Sequence, residues 1–220
     1  MSILSGWALL GILAAVPPSD VSLDELLKKL GAEELRKEQE TCSYKEQSLS
    51  EELSEENVVE GSVRRTAAVT RTPDRIERQL LTKEKQGEVS SAFDAEPKED
   101  PGARKAWRNA FHPEEQQLYT FELVKADEQR AVIRYTPHTK NQKKMNGTVE
   151  VDPQSGALRT MKLRPSENLA FVDEMAIDMT FASTACGVQP VKMKVVGKGG
   201  LPFMKKRFRI ETSFIDMKAR

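Results

Sequence analysis

The chain has 220 residues, of which 38% are hydrophobic, and 34 Lys and Arg balance 34 Asp and Glu. That length suits one domain with a sizeable core, and the neutral charge lacks the basic excess of a nucleic-acid binder. Its two cysteines and two histidines, Cys42, Cys186, His112 and His138, lie far apart and do not have the spacing of a zinc site.

Met1 to Val16 is an apolar run, closed by Pro17-Pro18. It is too short for a comfortable membrane span and fits the apolar region of a signal peptide, although no Lys or Arg precedes it. Leu13 and Ala15 stand at cleavage-site spacing. The expectation is a signal peptide over 1–20, cut between Ala15 and Asp20, and a single domain over 21–220. An uncleaved anchor or a buried helix is the other reading. No cysteine follows the run to take a lipid. In an exported chain the pair Cys42 and Cys186 can close a disulfide, and two free buried thiols is the alternative.

Past the leader, Leu23, Leu26, Leu27 and Leu30 form a helical stripe. Ser22 with Glu25 reads as a capping box, and Gly31 as a stop or weak point before helical pattern resumes to Glu40. Cys42 to Leu53 reads as a polar edge or curled strand. Val59 to Val69 alternates, with Val59, Gly61, Val63, Ala67 and Val69 on one face, and Arg75 to Leu81 follows after the Thr72-Pro73-Asp74 turn.

Residues 83–108 are rich in Lys, Glu, Ser, Asp and Pro and read as a flexible insertion. Pro113, with Glu114 and Glu115 behind it, marks one short turn of helix. Strands return at Tyr119 to Leu123 and Ala131 to Tyr135. The sharpest signal is a hairpin over Gly147 to Leu163. Val149 and Val151 alternate with polar residues in one arm, and Met161 and Leu163 do so in the other. Between them Asp152-Pro153-Gln154-Ser155-Gly156 supplies a fixed φ, a side-chain acceptor and a glycine for positive φ. This hairpin reads as the middle of the sheet. Phe171 to Phe181 carries Met175, Ile177 and Met179 on one face. Val191, Met193 and Val195 alternate next, Gly197 to Pro202 reads as a flexible turn, and Lys205 to Met217 places Phe208 and Ile210 inward.

The pattern is α+β: about ten antiparallel strands in one large curved sheet, an unclosed β-barrel, with one main N-terminal helix on the concave face. Nothing in it supports catalysis. Neither histidine lies in a nucleophile motif, and Gly197-Lys198-Gly199-Gly200 lacks the residues and the helix of a phosphate loop. The reading is not an enzyme, with no cofactor and no metal. What remains is the inward face, where Met161, Met175, Met179 and Met193 are adaptable enough to fit a hydrophobic ligand. An ordinary methionine-filled core is the other reading.

The order of these elements, the leucine helix, Tyr119-Thr-Phe121-Glu-Leu123, Ala131 to Pro137, Gly147-Thr-Val-Glu-Val-Asp-Pro153 and Lys206 to Phe214, resembles bacterial exported proteins related to the outer-membrane lipoprotein carrier and sorting proteins, the LolA-like fold. The resemblance covers most of residues 21 to 218. It implies an unclosed barrel whose concave face is covered by helices around a hydrophobic cavity for lipoprotein acyl chains. The chain departs from it in having one long helix where the carriers have several, and no residue is matched to the carriers' cavity arginine. On this basis the protein is expected to be a periplasmic, monomeric binder of a lipid or lipoprotein acyl chain, with peripheral or no membrane contact. The lining would be Val149, Val151, Met161, Met175, Ile177, Met179, Met193, Phe208 and Ile210. The rival is an envelope sensor or protein-interaction module using the same sheet with a filled core.

Overall fold

Alternation along the chain becomes one sheet. The computed structural model describes residues 21–95, 108–201 and 204–219. The leader at 1–20 and the later part of the 83–108 stretch, 96–107, lie outside the described residues. Helix α1 (Leu23–Gln39) precedes strands β1 (Cys42–Leu53), β2 (Val59–Arg71) and β3 (Ile76–Gly87). Among the described residues two short helices, α2 (Ser91–Asp94) and α3 (Pro113–Gln116), lie between β3 and β4 (Tyr119–Ala126). Then come β5 (Ala131–Pro137), β6 (Met145–Val151), β7 (Leu158–Pro165), β8 (Val172–Thr184), β9 (Gly187–Leu201) and β10 (Met204–Ala219). The ten strands form a single antiparallel sheet, ordered β3-β2-β1-β10-β9-β8-β7-β6-β5-β4. β3 and β4 are its two edges, so the barrel is unclosed.

Chain neighbours pair almost throughout; the exception is β1 with β10, which joins the two ends of the chain in register from Cys42 with Ala219 to Leu53 with Arg207. β1 is therefore an interior strand. The polar alternation that suggested an edge instead puts Ser50 and Glu52 inside, at 6% and 2% exposure. The 147–163 hairpin, β6 and β7, lies toward the β4 edge, and β8 and β9 are the central pair. Its turn is built as the residues dictate. Asp152 Oδ1 accepts from the backbone N–H groups of Gln154 and Ser155 at 3.1 and 2.9 Å, and Gly156 takes φ 73°.

α1 buries Leu26 and Leu30 against Ile133, Tyr135, Val149, Val151, Leu158 and Met161. The helix runs straight through Gly31, and Ser22 makes no side-chain cap. Gly31 lies close against the flank of α3: a Cβ there would meet Gln116 Nε2 at 3.0 Å and Pro113 Cγ at 3.1 Å. Leucine spacing on both sides of the glycine outweighs its helix cost of about 1 kcal/mol. Two other expectations change. β3 continues through Gly87, held by pairs such as Arg65 with Lys83 and Val63 with Lys85, and α2 follows at once, so 83–95 is built structure. Gly197 to Leu201 is the end of β9, paired with β10, where a loose turn was expected.

Cys42 and Cys186 are bonded, with sulfurs 1.98 Å apart across a sequence separation of 144. The bridge ties the start of β1 to the turn between β8 and β9.

Candidate functional site: the concave face

Strand register shows what the concave face is made of. One row crosses the sheet as Ile133, Val149, Met161, Met179, Met193, Thr212, Ser48 and Arg65. The next is Tyr135, Gly147, Leu163, Ile177, Val195, Ile210, Ser50 and Val63. A third holds Met175, Gly197, Phe208, Glu52 and Gly61. All nine residues named from the sequence point to this face, because side chains alternate strictly between shifts of register.

Their environments divide them. Val149, Val151 and Met161 are 1%, 0% and 5% exposed and form part of the core beneath α1. Met179 is half-buried and packs on the margin of that core. Met175, Ile177, Met193, Phe208 and Ile210 are half-buried and stand apart from it. They lie between two pieces of cover. On one side is α1. On the other, residues 88–95 fold back over β1, β2 and β10. There the Phe93 ring packs at a tilt on Phe208 with ring centroids 6.0 Å apart, and Arg65 donates to the backbone carbonyls of Phe93 and Ala95.

Glu52 anchors this second cover. Its Oε1 accepts from Ser90 N–H at 2.7 Å, and Oε2 accepts from Lys206 Nζ at 3.2 Å. Burial opposes its ionisation, but Ser90 and the Lys206 ammonium outweigh it and hold the carboxyl below its usual range. Gly197 leaves room for the Phe208 ring: a Cβ there would come within 2.4 Å of Phe208 Cζ and 2.6 Å of Glu174 O. At this end of the sheet an open depression of about 610 Å³ lies mainly on the opposite face, lined by Arg164, Ala176, Lys194, Val196, Arg207 and Arg209, with Met175, Gly197 and Phe208 also in its lining. Sequence reading missed Glu52 and the 88–95 cover, since no local pattern places a carboxylate under a segment almost 40 residues away.

His112 caps α3: its Nδ1 accepts from Glu114 N–H at 3.2 Å, and its Nε2 lies 3.3 Å from Glu38 Oε1. Arg108 Nε donates to the same Glu38 oxygen at 3.0 Å. This network pins α3 to α1. His138 Nε2 lies 3.2 Å from Thr120 Oγ1 at the surface. Among the described residues no group of three or more His, Cys, Asp or Glu could hold a metal ion, and no helix is long and apolar enough to cross a membrane.

Fold and face together define an open antiparallel half-barrel with one helix seated in its concavity. No protein-family model matches the sequence, and a search of the curated proteins finds no match. Solved structures similar to the chain include a LolA superfamily protein from Nitrosomonas europaea, at 11% identity over 90% of this chain and 93% of that one, with a TM-score of 0.38. A DUF1329 family protein from Desulfovibrio piger has 9% identity over 88% and 92%, with a TM-score of 0.35. MucB in its complex with MucA, from Pseudomonas aeruginosa, has 9% identity over 87% and 94%, with a TM-score of 0.28.

Proposed function

We propose that the protein is an exported, non-catalytic binding protein of the bacterial periplasm that holds a hydrophobic ligand, a lipid or lipoprotein acyl chain, on its concave face. The observation that carries this reading is the half-buried strip of Met175, Ile177, Met193, Phe208 and Ile210 between α1 and the 88–95 cover. Apolar side chains left partly exposed inside a concavity gain from an apolar guest, and methionine adapts to its shape. The apolar leader and the sequence resemblance support the location and ligand class.

Native mass spectrometry of protein purified from a bacterial envelope tests it. The expected result is a co-purifying lipid adduct, together with saturable binding of a fluorescent fatty-acid probe. Absence of both overturns the reading.

A second reading is favoured by β3. This 12-residue edge strand is exposed over most of its length, with Leu80 and Leu81 at 36% and 46%. An open edge accepts an extended peptide, so an envelope protein partner would dock there with the concave face filled by its own side chains.

A further inference from the structure

The end of the concave face nearest the disulfide holds groups that the strip of methionines does not use. β1 pairs with β2 without a shift from Cys42 to Glu52, so Tyr44 and Cys42 share the face of Ser48 and Ser50. Arg71 lies opposite Cys42, and Val69 stands between Tyr44 and Arg78 in the next row. Arg78 Nη2 donates to Glu46 Oε2 at 2.8 Å, and Arg71 Nη1 donates to Gln189 Oε1 at 3.2 Å. Gln189 is 4% exposed and is itself fixed, its Nε2 donating to Cys186 O at 2.7 Å.

Three further donor atoms are buried. Arg71 Nε, Arg71 Nη2 and Arg78 Nε find no hydrogen-bond partner among the described residues. Nε and Nη2 form one edge of the Arg71 guanidinium, the fork that matches two oxygens of a carboxylate or phosphate. Two guanidinium groups share the Glu46 carboxylate here, and beyond Cys186 O the Arg36 guanidinium is paired with Glu33 and Glu40. Tyr44 stands in the same field. Burial first, then Glu46, push its phenol up, and Arg71 and Arg78 oppose them. A buried cationic fork with idle donors is costly unless an acceptor fills it.

We propose that Arg71, flanked by Arg78 and Tyr44, binds one oxyanion, a carboxylate or a phosphate, as the head of an amphiphile whose chain lies on Met193 and Ile210. The chain part of this assignment rests on the hydrophobic-ligand reading above. Cation and apolar strip share one face of one sheet. From Cys42, opposite Arg71, to Ser48, in the row of Met193, is about 20 Å along β1, a span that an extended fatty chain covers. The row between them is Phe214, Glu46 and Ala67: Phe214 is edge-on to Tyr44 at 5.9 Å, Ala67 is buried, and the Glu46 carboxylate is turned to Arg78.

Calorimetric titration of the full chain with dodecanoate, dodecyl phosphate, dodecanol and inorganic phosphate tests the assignment. The expected result is that the two anionic amphiphiles bind about tenfold or more tighter than dodecanol. Arg71→Gln brings them down to the dodecanol level, and Arg71→Lys, which keeps the charge but not the fork, falls between. Equal binding of dodecanoate, dodecyl phosphate and dodecanol by the wild type overturns the oxyanion site and leaves the apolar strip standing. Binding of inorganic phosphate without any amphiphile shows a free-anion site and overturns the head-group assignment together with the hydrophobic-ligand reading. No binding of any of the four overturns both. The wild-type comparison decides the matter even where Arg71→Gln fails to fold.

Discussion

At the scale of single residues, Glu52 carries the most consequence. It is 2% exposed, and its charge is matched by Ser90 and Lys206. Because its carboxyl is held below the unfolded range, its contribution to stability is complete above the unfolded pKa and is lost as pH falls through the folded one. Melting temperature should therefore fall on acidification below about pH 4. Glu52→Gln should flatten part of that acid limb and destabilise the protein by about 1–3 kcal/mol at pH 7, where a buried donor loses its charged partner. An acid limb unchanged by the substitution would show that Glu52 is not coupled to folding. Gly197→Ala is the second residue-scale prediction. The new Cβ displaces the Phe208 ring from beneath Phe93, so the 88–95 segment should exchange its amide hydrogens faster than in the wild type. Neither residue was legible as functional in the sequence. Glu52 reads as one more acid in a polar strand, and Gly197 as part of a loose glycine turn.

At the scale of elements, α1 covers one side of the concavity and the disulfide ties the start of β1 to the turn between β8 and β9. The leucine stripe of α1 was plain in the sequence because a period of 3.6 is a local property. Its passage through Gly31 was not, because the packing of α3 that makes a glycine useful there comes from residues 111–116. Leu30→Ala, which empties a fully buried site, should cost about 2–5 kcal/mol by denaturant titration. The Cys42–Cys186 bridge closes a loop with a sequence separation of 144, for which the chain-entropy model gives up to about 5 kcal/mol. Reduction should lower the unfolding midpoint sharply; an unchanged midpoint would mean that residual structure already restrains the unfolded chain as much as the bridge does.

For the whole molecule, the concave face separates into a closed half and an open half, and substitutions should report which is which. Val149→Ala lies in the closed half, under α1. It should cost roughly 1–3 kcal/mol of stability and leave fatty-acid probe binding unchanged. Met193→Asp lies in the half-buried strip. It should abolish probe binding while the melting temperature moves by only a few degrees, because a carboxylate at this partly exposed position stays hydrated and an apolar guest would strip that hydration. Binding lost in Val149→Ala and retained in Met193→Asp would place the guest elsewhere.

The sequence by itself determined the strands, the hairpin turn at Asp152 to Gly156, the helix and the set of inward side chains. Each of these follows from periods of two or 3.6 residues and from the backbone preferences of Pro, Asp and Gly, all of which act within a few positions. Tertiary structure decided the rest. It paired β1 with β10 from opposite ends of the chain, and so made a polar strand internal. It laid 88–95 across Glu52, and it gathered Tyr44, Arg71 and Arg78 from three strands into one cationic corner. Alternation fixes which face of a strand a side chain occupies. Which partner that side chain meets is fixed by pairings between segments remote in sequence, and a single chain carries no local mark of those.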